Sequence, residues 1–151
     1  MELIAILQDG VPERRVQGPP AQAQEVLAGT AQMYAAVGFV RPWIAYLAVE
    51  GGACVGTCAF KSAPRDGRVE IAYFSFPGNE GRGVATRMAA ALVEIARATD
   101  AQVAVAAQTL PEESASTEVL KKLGFEHVDT LEHPEDGTVW EWRKKRGGGS
   151  R

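Results

Sequence analysis

The chain has 151 residues, of which 46% are hydrophobic and 23% charged, and carries a formal net charge of −3. That is enough sequence for one soluble globular domain with its own core, and too little for two. The acidic balance argues against a nucleic-acid partner, and the one dense basic run, Arg143 to Arg146, reads as a solvated strand end.

Glu2 to Leu7 is a short apolar run that predicts a strand. It has no basic region before it and is too short for a signal peptide. No window approaches the ~20 apolar residues of a membrane span. The expectation is a cytoplasmic protein with no membrane partner. Asp9-Gly10-Val11-Pro12 and Gly18-Pro19-Pro20 break the chain. Ala21 to Val37 carries an approximate helical stripe through Val26, Leu27, Met33, Tyr34 and Val37, interrupted by Gly29, and predicts one or two helices. Trp43 to Val49, Ala53 to Phe60 and Val69 to Phe76 are three strands joined by the turns Gly51-Gly52 and Pro64-Arg65-Asp66-Gly67, hence an antiparallel meander. Cys54 and Cys58 lie four apart on the middle strand, roughly 13 Å from one another, which is too far for a disulfide. Nothing completes a zinc site around them, so they read as buried thiols in a reducing compartment, and no metal is expected.

After the loop Pro77 to Gly83 the texture changes. Val84 to Ala98 is Ala-rich with Met88, Ala91, Leu92 and Ile95 at helical spacing, Gln102 to Ala107 is a short strand, and Ser114 to Leu123 is a helix closed by Gly124. Phe125 to Thr130 and Thr138 to Arg143 are strands around the turn Glu135-Asp136-Gly137. Residues 1–146 form one domain, and 147–151, a Gly-rich run, read as a flexible tail. The order predicts a mixed sheet with packed helices, an α/β or α+β arrangement.

The stretch richest in chemistry is Val69 to Met88: a strand, a glycine-rich loop and a helix without pause. Gly81 and Gly83 let backbone approach a ligand, the first helical turn offers unpaired N–H groups and a positive dipole end, and Arg82 adds charge at the rim. A glycine-rich turn that only starts a helix fits the same residues. A P-loop does not, because no Gly-Lys-Ser/Thr follows, and a Rossmann fingerprint fails on spacing and on the antiparallel strands before it. A pyrophosphate site fed by an antiparallel strand remains.

Glu80-Gly81-Arg82-Gly83-Val84-Ala85 resembles the Gln/Arg-x-x-Gly-x-Gly/Ala motif of GNAT acetyltransferases, with Glu80 in place of the usual first residue. Pro42-Trp43-Ile44-Ala45-Tyr46, Val69-Glu70-Ile71-Ala72-Tyr73, Thr109-Leu110-Pro111-Glu112-Glu113-Ser114-Ala115-Ser116 and Leu120-Lys121-Lys122-Leu123-Gly124-Phe125 are similar to segments of the Rim-type branch, in the same order. The resemblance implies a mixed, mostly antiparallel sheet with helices on both faces. It also implies acetyl-CoA as co-substrate, an acceptor that is a small-molecule amine or a peptide N-terminus, and pairing as a homodimer for which the strand Thr138 to Arg143 offers an edge or an aromatic surface.

The same resemblance assigns site residues. Arg82, Gly83, Val84, Ala85 and Thr86 would hold the CoA pyrophosphate, with Phe74, Ser75 and Phe76 at the splayed strand end and an oxyanion donor among the N–H groups near Phe74. Ser114 stands where many relatives have Asn; its hydroxyl suits a pantetheine amide or local backbone. Leu120 stands where many relatives have a tyrosine acid, which turns attention to Tyr73 and Ser116 as proton donors. Glu70, mid-strand on one face with Ala72, Phe74 and Phe76, is the candidate general base; ion pairing with Arg68 or Lys61 is its competing role. Ala21 to Arg41 would wall the acceptor pocket, and its mostly apolar composition leans towards a small, partly apolar amine. A module of this fold that binds acyl-CoA without turnover is the alternative function.

Overall fold

The computed structural model describes residues 1–16 and 21–144. The expected break at Gly18-Pro19-Pro20 and the tail 147–151 lie outside the described residues. Seven strands and three helices follow in the order β1 (Glu2–Ala5), α1 (Ala21–Val37), β2 (Ala45–Glu50), β3 (Ala53–Phe60), β4 (Arg68–Ser75), α2 (Val84–Thr99), β5 (Ala104–Thr109), α3 (Ala115–Lys122), β6 (Phe125–His133) and β7 (Gly137–Lys144). One helix, not two, fills 21–37, because Gly29 costs helix stability without ending the pattern. None of the helices is long and apolar enough to cross a membrane.

The strands make a single sheet in the order β1-β2-β3-β4-β5-β7-β6. Every neighbouring pair is antiparallel except β4–β5. Parallel neighbours need a crossover, and α2 is that crossover. The strand at 138–143 was expected to offer either an edge or an aromatic surface, and the first of these does not hold. It lies inside the sheet as β7, between β5 and β6, because Val105 to Thr109 pair with it on one side and Phe125 to His133 on the other. The sheet's edge strands are β1 and β6.

Helices cover both faces. α1 is tied to the first two strands by Tyr34, whose hydroxyl donates to Ile6 O at 2.7 Å and accepts from Ala45 N–H at 2.9 Å. α2 packs on the opposite face with Met88, Leu92 and Ala96 fully buried at helical spacing. α3 sits beside α2, over β6. Trp142 Nε1 donates to Thr109 Oγ1 at 3.0 Å and fastens β7 to β5. On the α1-side face the buried carboxylate of Glu141 accepts from Arg68 at 2.6 and 3.0 Å and from Arg143 at 2.8 Å, which clamps β4 to β7 across β5. Cys54 and Cys58 are free and buried.

Candidate active site

The site begins where β4 and β5 part. Their pairing ends at Ile71–Ala107, yet β4 runs on to Ser75 and β5 to Thr109. The other side of β4 stays bonded to β3: Lys61 N–H donates to Glu70 O, and Phe76 N–H donates to Val55 O, each at 2.9 Å. Main-chain groups alternate sides along a strand, so Glu70, Ala72, Phe74 and Phe76 turn theirs towards β3. The N–H groups of Tyr73 and Ser75 therefore face the open wedge. A donor is expected near Phe74; the N–H groups open to the wedge there are those of these two neighbours, because the N–H of Phe74 itself points the other way.

The loop after β4 is held by Glu80, whose Oε1 accepts from Gly78 N–H at 2.8 Å. It enters α2 through Gly83, which has φ 76° and ψ 9°, a left-handed conformation that costs a residue with Cβ more than glycine. No side chain caps α2, and its first turn has no acidic residue. Arg87 N–H donates to Gly83 O at 3.0 Å, so the N–H groups of Val84, Ala85 and Thr86 have no acceptor within the helix. α3 contrasts with it. There Ser114 Oγ accepts from Thr117 N–H at 3.3 Å, and Thr117 Oγ1 accepts from Ser114 N–H at 2.9 Å, a reciprocal cap.

Between these walls lies a cleft of about 440 Å³. Tyr73, Phe74 and Ser75 line it from β4; Glu80, Gly81, Gly83, Val84, Ala85 and Thr86 from the loop and α2; Ala115, Ser116, Glu118, Val119 and Lys122 from α3. Most of the expected cofactor residues thus meet in one place, together with the proton-donor candidates Tyr73 and Ser116. Three do not line the cleft. Phe76 is buried in the core. Arg82 is exposed on the loop outside the lining. Ser114 has its hydroxyl committed to the α3 cap. Sequence reasoning missed Glu118, Val119 and Lys122, although the spacing 115, 118, 119, 122 marks one helical face.

Tyr73 supplies the cleft's phenol. Its hydroxyl donates to Ser116 O at 3.3 Å. Burial pushes it up from 10.0 to about 12, opposed by that hydrogen bond. Leu120, where many relatives have tyrosine, is fully buried and faces the core. Any phenol acting here therefore comes from the strand and not from α3.

A second pocket, of about 260 Å³, opens on the α1 side and shares Tyr73 and Phe74 with the cleft. Val26, Gly29, Thr30 and Met33 line it from α1, Ala45 from β2, Thr57, Cys58 and Ala59 from β3, and Ala72 from β4. No charged side chain is among them. Glu70 lies on this same face, one strand repeat (~7 Å) before Ala72 and outside both linings. Its Oε2 is 2.7 Å from Lys61 Nζ, in charge contact but off the axis of a hydrogen bond, and its Oε1 is 3.5 Å from Arg68 Nη2. Both cations proposed as its partners are beside it.

His127 stacks on Trp140 and Trp142 with ring centroids 4.7 and 5.4 Å away, on the far side of the sheet from the α1 pocket. A larger concavity, about 640 Å³, opens against Met1, Arg14, Arg15 and Glu50 and shares no residue with either pocket. Among the described residues no group of three or more His, Cys, Asp or Glu is placed to hold a metal ion.

The chain matches the family model described as an acetyltransferase (GNAT) domain over residues 3–126. No curated protein sequence matches it. Its fold is similar to that of aminoglycoside acetyltransferase AAC(6')-Ib in complex with coenzyme A, with TM-score 0.59 and 23% identity over 68% of this chain and 66% of that one. It is also similar to RimL, a ribosomal L7/L12 alpha-N-protein acetyltransferase in complex with coenzyme A, with TM-score 0.66 and 14% identity over 85% and 73%. A GnaT-family acetyltransferase from Bordetella pertussis gives TM-score 0.61 and 19% identity over 82% and 76%. These are likenesses of fold. The chain spans just under two thirds of the length of the aminoglycoside enzyme.

Proposed function

The chain belongs to the acetyltransferase (GNAT) family, and from that premise we propose that it transfers an acetyl group from acetyl-CoA to a primary amine by direct attack on the thioester. The observation that carries this reading is the uncapped N-terminus of α2. Three unpaired N–H groups, at Val84, Ala85 and Thr86, line a cleft that also opens onto the splayed end of β4. That arrangement suits a pyrophosphate at one end and a thioester at the other. Gly83 lets the backbone approach, and Arg82 adds charge at the rim.

The steps follow from the chain's own groups. The N–H groups of Tyr73 and Ser75 face the wedge and suit the thioester carbonyl as it gains negative charge. Tyr73 approaches the departing sulfur. A phenol near 12 is a weaker acid than a thiol of ordinary acidity near 8.5, and full proton transfer would be uphill by roughly 5 kcal/mol. Tyr73 therefore acts as a hydrogen-bond donor to the thiolate, turning its single hydroxyl proton from Ser116 O to the sulfur, with the hydroxyl of Ser116 as a second donor. The amine enters from the α1-side pocket. Glu70, on the same face beyond Ala72, accepts the amine's proton through intervening water.

Three finer assignments belong to this reading. The segments Thr109 to Ser116 and Leu120 to Phe125 support the Rim-type branch. The exposed edge strand β6 supports a homodimer; light scattering that gives the monomer mass at high micromolar concentration would count against it. Two buried, unpaired thiols fit a cytoplasmic setting.

The test is thiol release from acetyl-CoA with a panel of amines, beside calorimetry of CoA binding. Binding with no turnover on any amine would favour a non-catalytic acyl-CoA module. Glu70→Gln should lower kcat by roughly 10²–10⁴ with CoA affinity unchanged, and the loss should shrink at high pH, where free amine forms unaided. A well-folded variant with near-normal kcat would remove Glu70 as base and leave it as the partner of Lys61 and Arg68.

A further inference from the structure

Gly29 sits in the middle of α1, and nothing in the structure requires a glycine there. Its backbone is helical, and a Cβ added at this position would meet no atom within 4 Å. Glycine is the poorest helix former apart from proline, so α1 is weakened at this point without any gain in packing. Its one evident consequence is space. Gly29 lines the α1-side pocket between Val26 and Met33, which lie three residues before and four after it on the same helical face.

The pocket itself states a chemistry. It shares Tyr73 and Phe74 with the cofactor cleft, so its inner end reaches the point where the thioester would lie. Its walls are largely apolar and carry no charged side chain. The hydroxyl of Thr57 is already committed, donating to Tyr46 O at 3.0 Å. Burial pushes the Cys58 thiol up to about 12, so it stays neutral. A polycation would find no carboxylate in this lining, and a peptide would find few polar side chains for its main chain, Thr30 and Tyr73 being the ones left after Thr57. At about 260 Å³ the pocket has room for a small organic group and not for a long chain.

We infer that the acceptor is a primary amine whose body is a small, uncharged, apolar group, and that Gly29 sets the size of that body. This rests on the acetyl-transfer reading above, and the experiment separates the two. 2-Phenylethylamine serves as the apolar probe, ethylamine as the short one, and spermidine and a tetrapeptide as polar competitors. Thiol release is measured for wild type, Gly29→Ala and Gly29→Leu. Calorimetry follows CoA binding, and then 2-phenylethylamine binding to the CoA complex.

With wild type, 2-phenylethylamine should have a KM at least tenfold below that of ethylamine and should outperform spermidine and the peptide. Gly29→Leu should raise the 2-phenylethylamine KM at least tenfold while changing the ethylamine KM and CoA affinity less than twofold. Gly29→Ala should raise Tm by roughly 2–4 °C, which shows that the glycine is not there for the fold. Turnover of spermidine or the peptide in preference to 2-phenylethylamine would overturn the inference and leave acetyl transfer standing. Binding of 2-phenylethylamine that Gly29→Leu abolishes, with no turnover of any amine, would uphold the pocket and remove the activity. A Gly29→Leu variant that binds and turns over 2-phenylethylamine as wild type does would overturn the inference outright.

Discussion

Gly83 has two constraints on it that act together. Its φ of 76° lies where a side chain is strained, and a Cβ there would come within 2.9 Å of Arg87 Nη1. Arg87 is held towards Glu50 by hydrogen bonds of 2.5 and 2.8 Å. Gly83→Val must therefore shift the loop or the guanidinium, and the residues displaced are those whose N–H groups line the cleft. CoA binding should weaken at least tenfold by calorimetry while the circular dichroism spectrum stays unchanged. Unchanged affinity in a folded variant would remove the pyrophosphate assignment. Glu70 poses the opposite kind of question, because its face and its partners point to different roles. Being on the acceptor face favours proton acceptance, whereas Lys61 and Arg68 favour a structural pair, and only kinetics at varied pH separates them.

At the scale of elements, the two helices that flank the cleft begin differently. α2 begins without a side-chain cap, and α3 begins with a reciprocal Ser114–Thr117 pair. A helix whose N–H groups are satisfied by its own side chains has nothing left for a ligand. On the proposed reading the anion goes to α2 and α3 has a supporting role, presenting Ser116, Val119 and Lys122 to the cleft. Ser114→Ala should then cost about 1 kcal/mol of stability, read as a lower urea midpoint, with CoA affinity changed less than threefold. If CoA binding falls sharply while the midpoint holds, the hydroxyl reaches the pantetheine after all. The same logic of neighbours explains β7. A strand of alternating Trp140 and Trp142 with Glu141 and Arg143 between them reads equally well at an edge or inside, and the register with β5 and β6 decides it.

The whole molecule has a pH dependence built into its core. Burial pushes the Cys58 thiol up from 9.0 to about 12 and the Tyr46 phenol up from 10.0 to about 12. Tyr73 moves in the same direction to about 12 for the same cause. The unfolded chain would ionise these groups near 9 to 10, while the folded chain keeps them protonated. Across that window the native state binds more protons than the unfolded one, so stability falls as pH rises. The contribution is fully present below about pH 9 and disappears as pH approaches 12. Urea midpoints should be level from pH 7 to 9 and then decline, and Cys58→Ala should delay the onset towards pH 10. A level profile to pH 11 would contradict the burial of these groups.

The sequence by itself determined the order of elements, the meander, the helix on either side of β5, Gly124 as the residue beyond α3, and the glycine-rich loop feeding α2. These are local properties: periodicity over a few residues, turn formers, and the backbone freedom of Gly81 and Gly83 (both at φ 76°). That Tyr73, Phe74, Ser75 and the run Gly83 to Thr86 would come together at one cleft was legible for the same reason, since they are nearly contiguous. What only the tertiary structure decided depends on segments far apart in the chain. Arg68 meets Glu141 across 73 residues, and Tyr73 meets Ser116 across 43. Which main-chain N–H faces the wedge follows from where β5 leaves β4, and that is a property of the pair and not of either strand. The cleft-facing side of α3, the interior place of β7 and the empty space at Gly29 are all of this kind. Each is set by which surfaces come to lie against one another, and residue spacing along the chain does not record it.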